Sequence, residues 1–210
     1  MRSLKGLLFA TCAMAVATPS FAQDAAQDGA SAGGLEEIIV TARKREESVQ
    51  TVPVAVTAIS ERVIQQRDIT SIEKIAGATP NLSVGRASNG SGAQLTMRGI
   101  GSSSTSIGIE QSVAVVVDGA YYGQGRVIQE GFFDLKRVEV LKGPQALFFG
   151  KNATAGVISL TTNDPGQDRE FIARAGYEFR SQQYLGEFIA SVPLSDTFGV
   201  RLAVRGSMMD

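Results

Sequence analysis

The chain has 210 residues, with 20 Lys and Arg against 21 Asp and Glu and a net charge of −1. That is room for one domain or two small ones, with no basic excess to hold a nucleic-acid backbone. His and Trp are absent and Cys12 is the single cysteine, which excludes His-based acid–base chemistry, Ser/His or Cys/His nucleophiles, intrachain disulfides and His- or Cys-based metal sites.

Residues 1–22 have the form of a secretory signal peptide. Arg2 and Lys5 make a basic start, Leu7 to Ala17 is apolar except for Thr11 and Cys12, and Ser20-Phe21-Ala22 is a small-x-small cleavage site. The apolar run, about 11 residues, is too short for a bilayer span of roughly 20. Cys12 lies inside that run and reads as a small apolar filler. Gln23 to Leu35 has almost no bulky side chain. It cannot bury enough surface to offset its ordering entropy, and reads as a flexible tether. Glu36 to Ala42 is a short β-branched run followed by Arg43-Lys44-Arg45-Glu46-Glu47. It is either the first strand of the domain or a recognition strand that adds to a partner's sheet edge, and composition favours the first.

Val52 to Ile59 alternates with period two and reads as a strand, with Pro53 near its start marking an edge or an entry position. Ser60 is expected to cap a short helix from Glu61 to about Arg67, and Thr70-Ser71-Ile72-Glu73 to open a second as a capping box. Thr79-Pro80-Asn81 stops it. Asn89 to Ser106 is Gly-, Ser- and Asn-rich, broken by Leu95 to Ile100, which suggests one strand between two mobile loops. Val113 to Val117 is continuously apolar, as a strand covered on both faces would be, and Asp118-Gly119 turns it. Leu135 to Leu141 and Gly156 to Thr162 read as further strands, the first running into Gly143-Pro144. Asn163-Asp164-Pro165-Gly166 is the strongest break, so 45–165 reads as a mixed α/β domain.

After Asp168 the pattern changes. Phe171, Ala173, Ala175, Tyr177 and Phe179 share one face. Tyr184, Phe188, Ala190 and Val192 repeat the alternation, and Phe198, Val200, Leu202 and Val204 do so again. Three strands of about ten residues, with short turns and aromatics near the ends, match transmembrane β-strands. Alternation alone equally describes one face of a soluble meander.

Chemical motifs are few. Gly150-Lys151-Asn152 lacks the earlier glycine and the Ser/Thr of a phosphate loop. Gly99-x-Gly101 and Gly123-x-Gly125 lack the third glycine of a dinucleotide fingerprint. The sequons at Asn81, Asn89 and Asn152 read as turn chemistry. Glu130, Asp134 and Glu139 could supply a carboxylate pair for glycoside hydrolysis, but nothing in the sequence pairs or buries them. Arg98 sits on a short apolar strand beside a glycine read as allowing close backbone approach. It is either a surface charge or an internal arginine forked onto carboxylates supplied elsewhere.

Seven segments occur in a telling order: Glu37 to Ala42; Val52 to Thr57; Ile75 to Leu82; Met97-Arg98-Gly99; Val117-Asp118-Gly119; Val138 to Pro144; and Asn152 to Gly156 leading into a strand. Over about 36–210 the chain resembles the N-terminal portion of a TonB-dependent outer-membrane receptor. That resemblance implies an α+β plug domain, a small mixed sheet with short helices, followed by the first antiparallel strands of a transmembrane β-barrel that is incomplete over this length. It implies a signal peptide at 1–22, a periplasmic tether at 23–44 carrying the TonB box at 37–42, a plug at 45–165 and about three barrel strands at 166–210. Glu37, Ile38, Ile39, Val40, Thr41 and Ala42 would bind TonB, with its inner-membrane motor complex, by strand addition.

The resemblance also implies that Arg98, Gly99, Arg137, Glu139, Lys142 and Lys151 contact the barrel, with Arg98 meeting barrel carboxylates. Arg86, Ser88, Asn89, Ser102, Ser103, Ser104, Tyr121 and Tyr122 would face the ligand. Lys142 stands where the family usually has Arg, so a bidentate lock becomes a point-charge contact. Met97, Phe149 and Lys151 replace the usual Ile, Tyr and Arg. The expected partners are TonB, outer-membrane lipid and a small-molecule ligand of the iron–siderophore, cobalamin or carbohydrate class. No catalytic residue, metal, cofactor or nucleic acid is expected, and the location is the Gram-negative outer membrane with the plug facing the periplasm. Two other readings stay open: a stand-alone soluble periplasmic binding or signalling module, and a secreted carboxylate hydrolase. Three transmembrane strands leave open edges, which lipid does not tolerate, and the smallest closed barrels take about eight strands. The 210 residues are therefore expected to be part of a longer product.

Overall fold

Alternating apolar residues in the middle of the chain assemble into a five-stranded sheet covered on both faces. The computed structural model describes residues 39–41, 45, 47–86, 92–102, 110–129 and 131–209. The expected signal peptide lies outside the described residues, as does most of the tether. In chain order the first elements are β1 (Ile39–Val40), β2 (Glu47–Ser48), β3 (Ala55–Ser60), α1 (Glu61–Gln66), α2 (Ile72–Ala78), β4 (Leu82–Arg86), β5 (Ala93–Met97) and β6 (Ile100–Gly101). Then come β7 (Val113–Val117), β8 (Ala120–Tyr122), α3 (Gly125–Ile128), β9 (Leu135–Lys142), α4 (Ala146–Phe149) and β10 (Gly156–Thr162). The last three are β11 (Glu170–Glu178), β12 (Gln183–Ser195) and β13 (Phe198–Met209).

The central sheet has the order β3-β9-β10-β7-β8. β10 runs parallel to β7 and antiparallel to β9, and β9 runs antiparallel to β3. β3 is an edge strand, one of the two placements that Pro53 just before it allows. Val113 and Val115 of β7 face one hydrophobic cluster, and Ala114 and Val116 face the other. The unbroken apolar run is thus a strand buried on both sides. The larger cluster packs Ile64, Ile72 and Ile75 of the helices and Leu95 and Met97 of β5 over the sheet. The smaller one joins Val40 of β1 to Leu141, Ala153 and Val157.

Two glycine turns owe their form to backbone twist. Arg98 and Gly99 have φ of 52° and 81° between paired Met97 and Ile100. Asp118 and Gly119 have φ of 48° and 83° between paired Val117 and Ala120. Both have positive φ at both central residues, the hairpin turn whose twist matches its strands. Gly99 therefore serves its positive φ, and not the close approach expected of it: a Cβ there would meet nothing within 4 Å. Close approach occurs instead at Gly156, where a Cβ would run into Met97 Sδ and the Leu141 carbonyl.

The helix caps also differ from expectation. Ser60 stands at the N-cap of α1, but its side chain makes no capping bond. α2 is capped by Ser71, whose side chain accepts from the Lys74 N–H, one residue later than a Thr70 box requires. Glu73 then falls at the second helical position, out of register for the reciprocal bond. β4, β8, α3 and α4 had no clear sequence signal.

β11, β12 and β13 form a separate antiparallel sheet. Phe171, Ala190 and Leu202 lie side by side, followed by Ala173, Phe188 and Val204. Phe171, Phe188, Leu202 and Val204 are exposed, whereas Ile189 and Ser191 on the opposite face are buried. Tyr177 packs on Tyr184 with centroids 4.7 Å apart and edge-on to Phe179 at 5.0 Å. β12 and β13 run to 13 and 12 residues, longer than the ten expected. β12 continues through Pro193, where the register shifts between Pro193 and Ser195 to accommodate the missing donor. No helix among the described residues is long and apolar enough to cross a membrane.

Candidate functional site

β1 pairs with β2, Ile39 opposite Ser48 and Val40 opposite Glu47. Alternation sends the Val40 side chain into the smaller cluster, where it is wholly buried, and leaves Ile39 half exposed. Next in sequence, the Thr41 N–H donates to both carboxylate oxygens of Glu139 at 3.0 Å. Thr41 Oγ1 donates to the same oxygens at 3.1 and 3.2 Å. Glu139, in the middle of β9, has a side-chain exposure of 0%. Arg137, two residues earlier, brings Nε to 2.8 Å from Glu139 Oε1. That is a charge contact and not a hydrogen bond, because the Nε–H has no aligned acceptor. Among the described residues the directional bonds to this buried carboxylate come from Thr41, and a buried carboxylate without such bonds is costly. Glu139, one of the residues expected to contact the barrel, thus meets Thr41, and Arg137 lies beside Glu139. Glu37, Ile38 and Ala42 of that segment lie outside the described residues.

A second feature is cationic. The Arg98 N–H donates to the Asn81 carbonyl at 2.8 Å, fixing the β5–β6 turn. Its guanidinium lies over Gly143, where a Cβ would be 3.8 Å from Nη1. Burial, and then the Arg98 charge, hold the neighbouring Lys142 below the usual lysine range. Among the described residues neither Arg98 nor Lys142 has an ion-pair partner. Lys151 differs, because it pairs with Glu110 at 3.3 Å.

The expected ligand-facing residues divide. Arg86 is exposed at the end of β4, and Tyr121 and Tyr122 are exposed on the edge strand β8. The Tyr121 phenol is pushed up by burial and then by Glu110, against a side-chain hydrogen bond with Asn152. The Ser102 hydroxyl, half-buried, is engaged by the chain itself: it donates to the Glu110 carbonyl at 3.0 Å and accepts from the Ser112 N–H at 2.7 Å. Ser88, Asn89, Ser103 and Ser104 lie outside the described residues. So does Glu130 of the carboxylate trio, while Asp134 and Glu139 are engaged by different partners, Arg201 and Thr41. Among the described residues no group of three or more acidic residues is placed to hold a metal ion. The sequence offered no signal for pairing Thr41 with Glu139, which are 98 residues apart.

Such a sheet, flanked by short helices and followed by an antiparallel strand set, defines a class. The family model described as TonB-dependent Receptor Plug Domain matches residues 48–157, more than half the chain, and the protein belongs to the TonB-dependent receptors. It is 28% identical over 160 residues to the pesticin receptor of Yersinia pestis, covering 76% of this chain and 23% of that protein. It is 26% identical over 180 residues to the hemin receptor of Yersinia pestis, covering 84% and 25% respectively. The chain spans about a quarter of the length of these curated relatives. Among solved structures, the ferric yersiniabactin uptake receptor FyuA from Yersinia pestis superposes with a TM-score of 0.67 at 23% identity, over 78% of this chain and 26% of that one. The siderophore receptor PiuA from Acinetobacter baumannii gives 0.69 at 15% identity, over 84% and 24%. At those identities the likeness concerns the fold.

Proposed function

We propose that the chain works as part of an outer-membrane receptor for active uptake of an iron-bearing ligand, a ferric siderophore or haem, driven by TonB acting on residues 37–42. In this reading 1–22 is a cleaved leader, 23–44 the tether with the TonB box, 45–165 the plug, and 166–210 barrel strands. The carrying observation is Ile39–Val40, a short strand set against a plug sheet, which suits recognition by strand addition. The outward apolar faces of β11–β13 suit lipid. Arg98 and Lys142, two cations that pair with no carboxylate among the described residues, suit acidic groups on the rest of a barrel. The ligand class follows what the relatives' names say they take up.

The test uses the C-terminal domain of TonB and the full receptor. Ile39→Pro removes a backbone donor from the box and should abolish both binding of that domain and iron-limited growth on the ferric siderophore or haem. Binding and growth unchanged by the substitution would sink the reading.

A further inference from the structure

We propose that the open cleft between β8 and α4 is a binding site for a small organic cation, an alkylammonium group held by aromatic rings and the Asp118 carboxylate. This goes beyond the uptake reading and does not depend on it. Strand register builds the floor of the cleft. Tyr121 of β8 pairs with Val116 of β7, and Val116 pairs with Ser159 of β10. Alternation brings Asp118 and Thr161, two residues further along, to the same face. Phe148 and Phe149, at the end of α4, line the other side. The cleft has a volume of about 590 Å³, within the roughly 300–1,000 Å³ that small-molecule sites occupy.

The lining selects the sign of the ligand. Tyr121, Phe148 and Phe149 all border the cleft, and an aromatic face attracts a cation because its π-system is negative above and below the ring. Asp118 is the one charged side chain among the described lining residues. Its two oxygens each accept one bond from Thr162, which leaves a lone pair on each for a further donor. Among the described residues no Lys or Arg pairs with it. An uncompensated carboxylate beside three rings, with no cation in the lining, suits an ammonium ion and repels an anion. A side-chain hydrogen bond with Asn152 holds the hydroxyl end of Tyr121 and steadies its ring. The Ser159 and Thr161 hydroxyls offer partners for a polar tail on the ligand.

The experiment titrates the full chain with choline, and in parallel with the uncharged alcohol in which carbon replaces the choline nitrogen, following both by NMR. Choline should saturate one site, and the alcohol should bind at least about tenfold more weakly. Tyr121→Leu and Phe148→Leu keep an apolar wall without the ring, so each should weaken choline about fivefold and leave the alcohol unchanged. Asp118→Asn keeps the shape and removes the charge, and should weaken choline about tenfold. Circular dichroism shows which variants are folded, and if Asp118→Asn is not, the two ring variants decide. Equal binding of choline and the alcohol overturns the proposal, because the cleft then takes any apolar body. Choline binding that does not saturate, or that is unchanged in the folded ring variants, overturns it as well.

Discussion

Arg201 of β13 grips Asp134, the residue before β9, through two parallel hydrogen bonds, Nε to Oδ2 at 2.7 Å and Nη2 to Oδ1 at 2.6 Å. Both side chains are only 10% exposed. Arg201 Nη1 also donates to Glu170 at 2.8 Å, and Asn163 Nδ2 donates to Asp134 Oδ1 at 3.1 Å. One guanidinium therefore ties the last strand to β11 and to the start of β9. Arg201→Ala leaves Asp134 nearly buried without its charge partner and should cost about 3 kcal/mol. Arg201→Lys should recover part of this, because an ammonium cannot fork onto a carboxylate. Urea unfolding reads the loss, and faster proteolysis in 163–169 reads the loosened attachment. Equal stability for all three chains would show that the contact holds nothing.

Lys142 gives a prediction in pH. Its proton is disfavoured in the folded chain by burial first and by Arg98 second. A base with a lowered folded pKa destabilises the fold while it is protonated. That penalty is full below the folded pKa and fades as pH rises through it towards the ordinary lysine value. Stability should therefore rise on this account between neutral and alkaline pH. In Lys142→Met the rise should be missing and the neutral-pH midpoint higher. Thermal melts of both chains across that range check it, and parallel pH curves would refute it.

Gly156 begins β10 against Met97 and the Leu141 carbonyl, with no room for a Cβ. Gly156→Ala must push back a wholly buried methionine or a sheet carbonyl. The expected loss is roughly 1–3 kcal/mol. Pairing it with Met97→Ala should recover some of that, since the two sites share one space. A double-mutant cycle by chemical denaturation measures the coupling, and simple additivity would argue that the carbonyl is the obstacle.

What the sequence made legible follows the reach of the interactions. Alternation placed β3, β9 and the apolar face of β11–β13, and an unbroken apolar run placed β7, because a strand's faces are written in consecutive residues. Asp118-Gly119 declared its turn by composition alone. β4 and β8 were missed because Gly85 interrupts the one and the other has three residues, too few for a pattern. The cap of α2 slipped by one position where Thr70 and Ser71 offered adjacent hydroxyls. The Thr41–Glu139 and Arg201–Asp134 contacts join residues 98 and 67 apart, and no local rule reaches that far. Arg98 remained a lone charge in the sequence, and only the hairpin brings it to Lys142.

The Val117-Asp118-Gly119 segment does more than turn the chain. β7 stops pairing with β10 at Val117 opposite Leu160, while β10 runs on to Thr162. The Thr162 N–H lies beyond the end of that parallel ladder. The Asp118 side chain takes the place of the missing strand: Oδ1 accepts from the Thr162 N–H at 2.9 Å and Oδ2 from its Oγ1 at 2.8 Å. Asp also tolerates the φ of 48° found here, which few other residues do. Asp118→Ala removes both bonds and strains the turn, for a loss of about 2 kcal/mol. Asp118→Asn keeps one acceptor and the same backbone tolerance, so it should lose about half as much. Amide exchange at Thr162 should quicken in both variants, most in the alanine. If the alanine variant unfolds at the same urea concentration as the parent, the carboxylate contributes nothing and the motif is a turn alone.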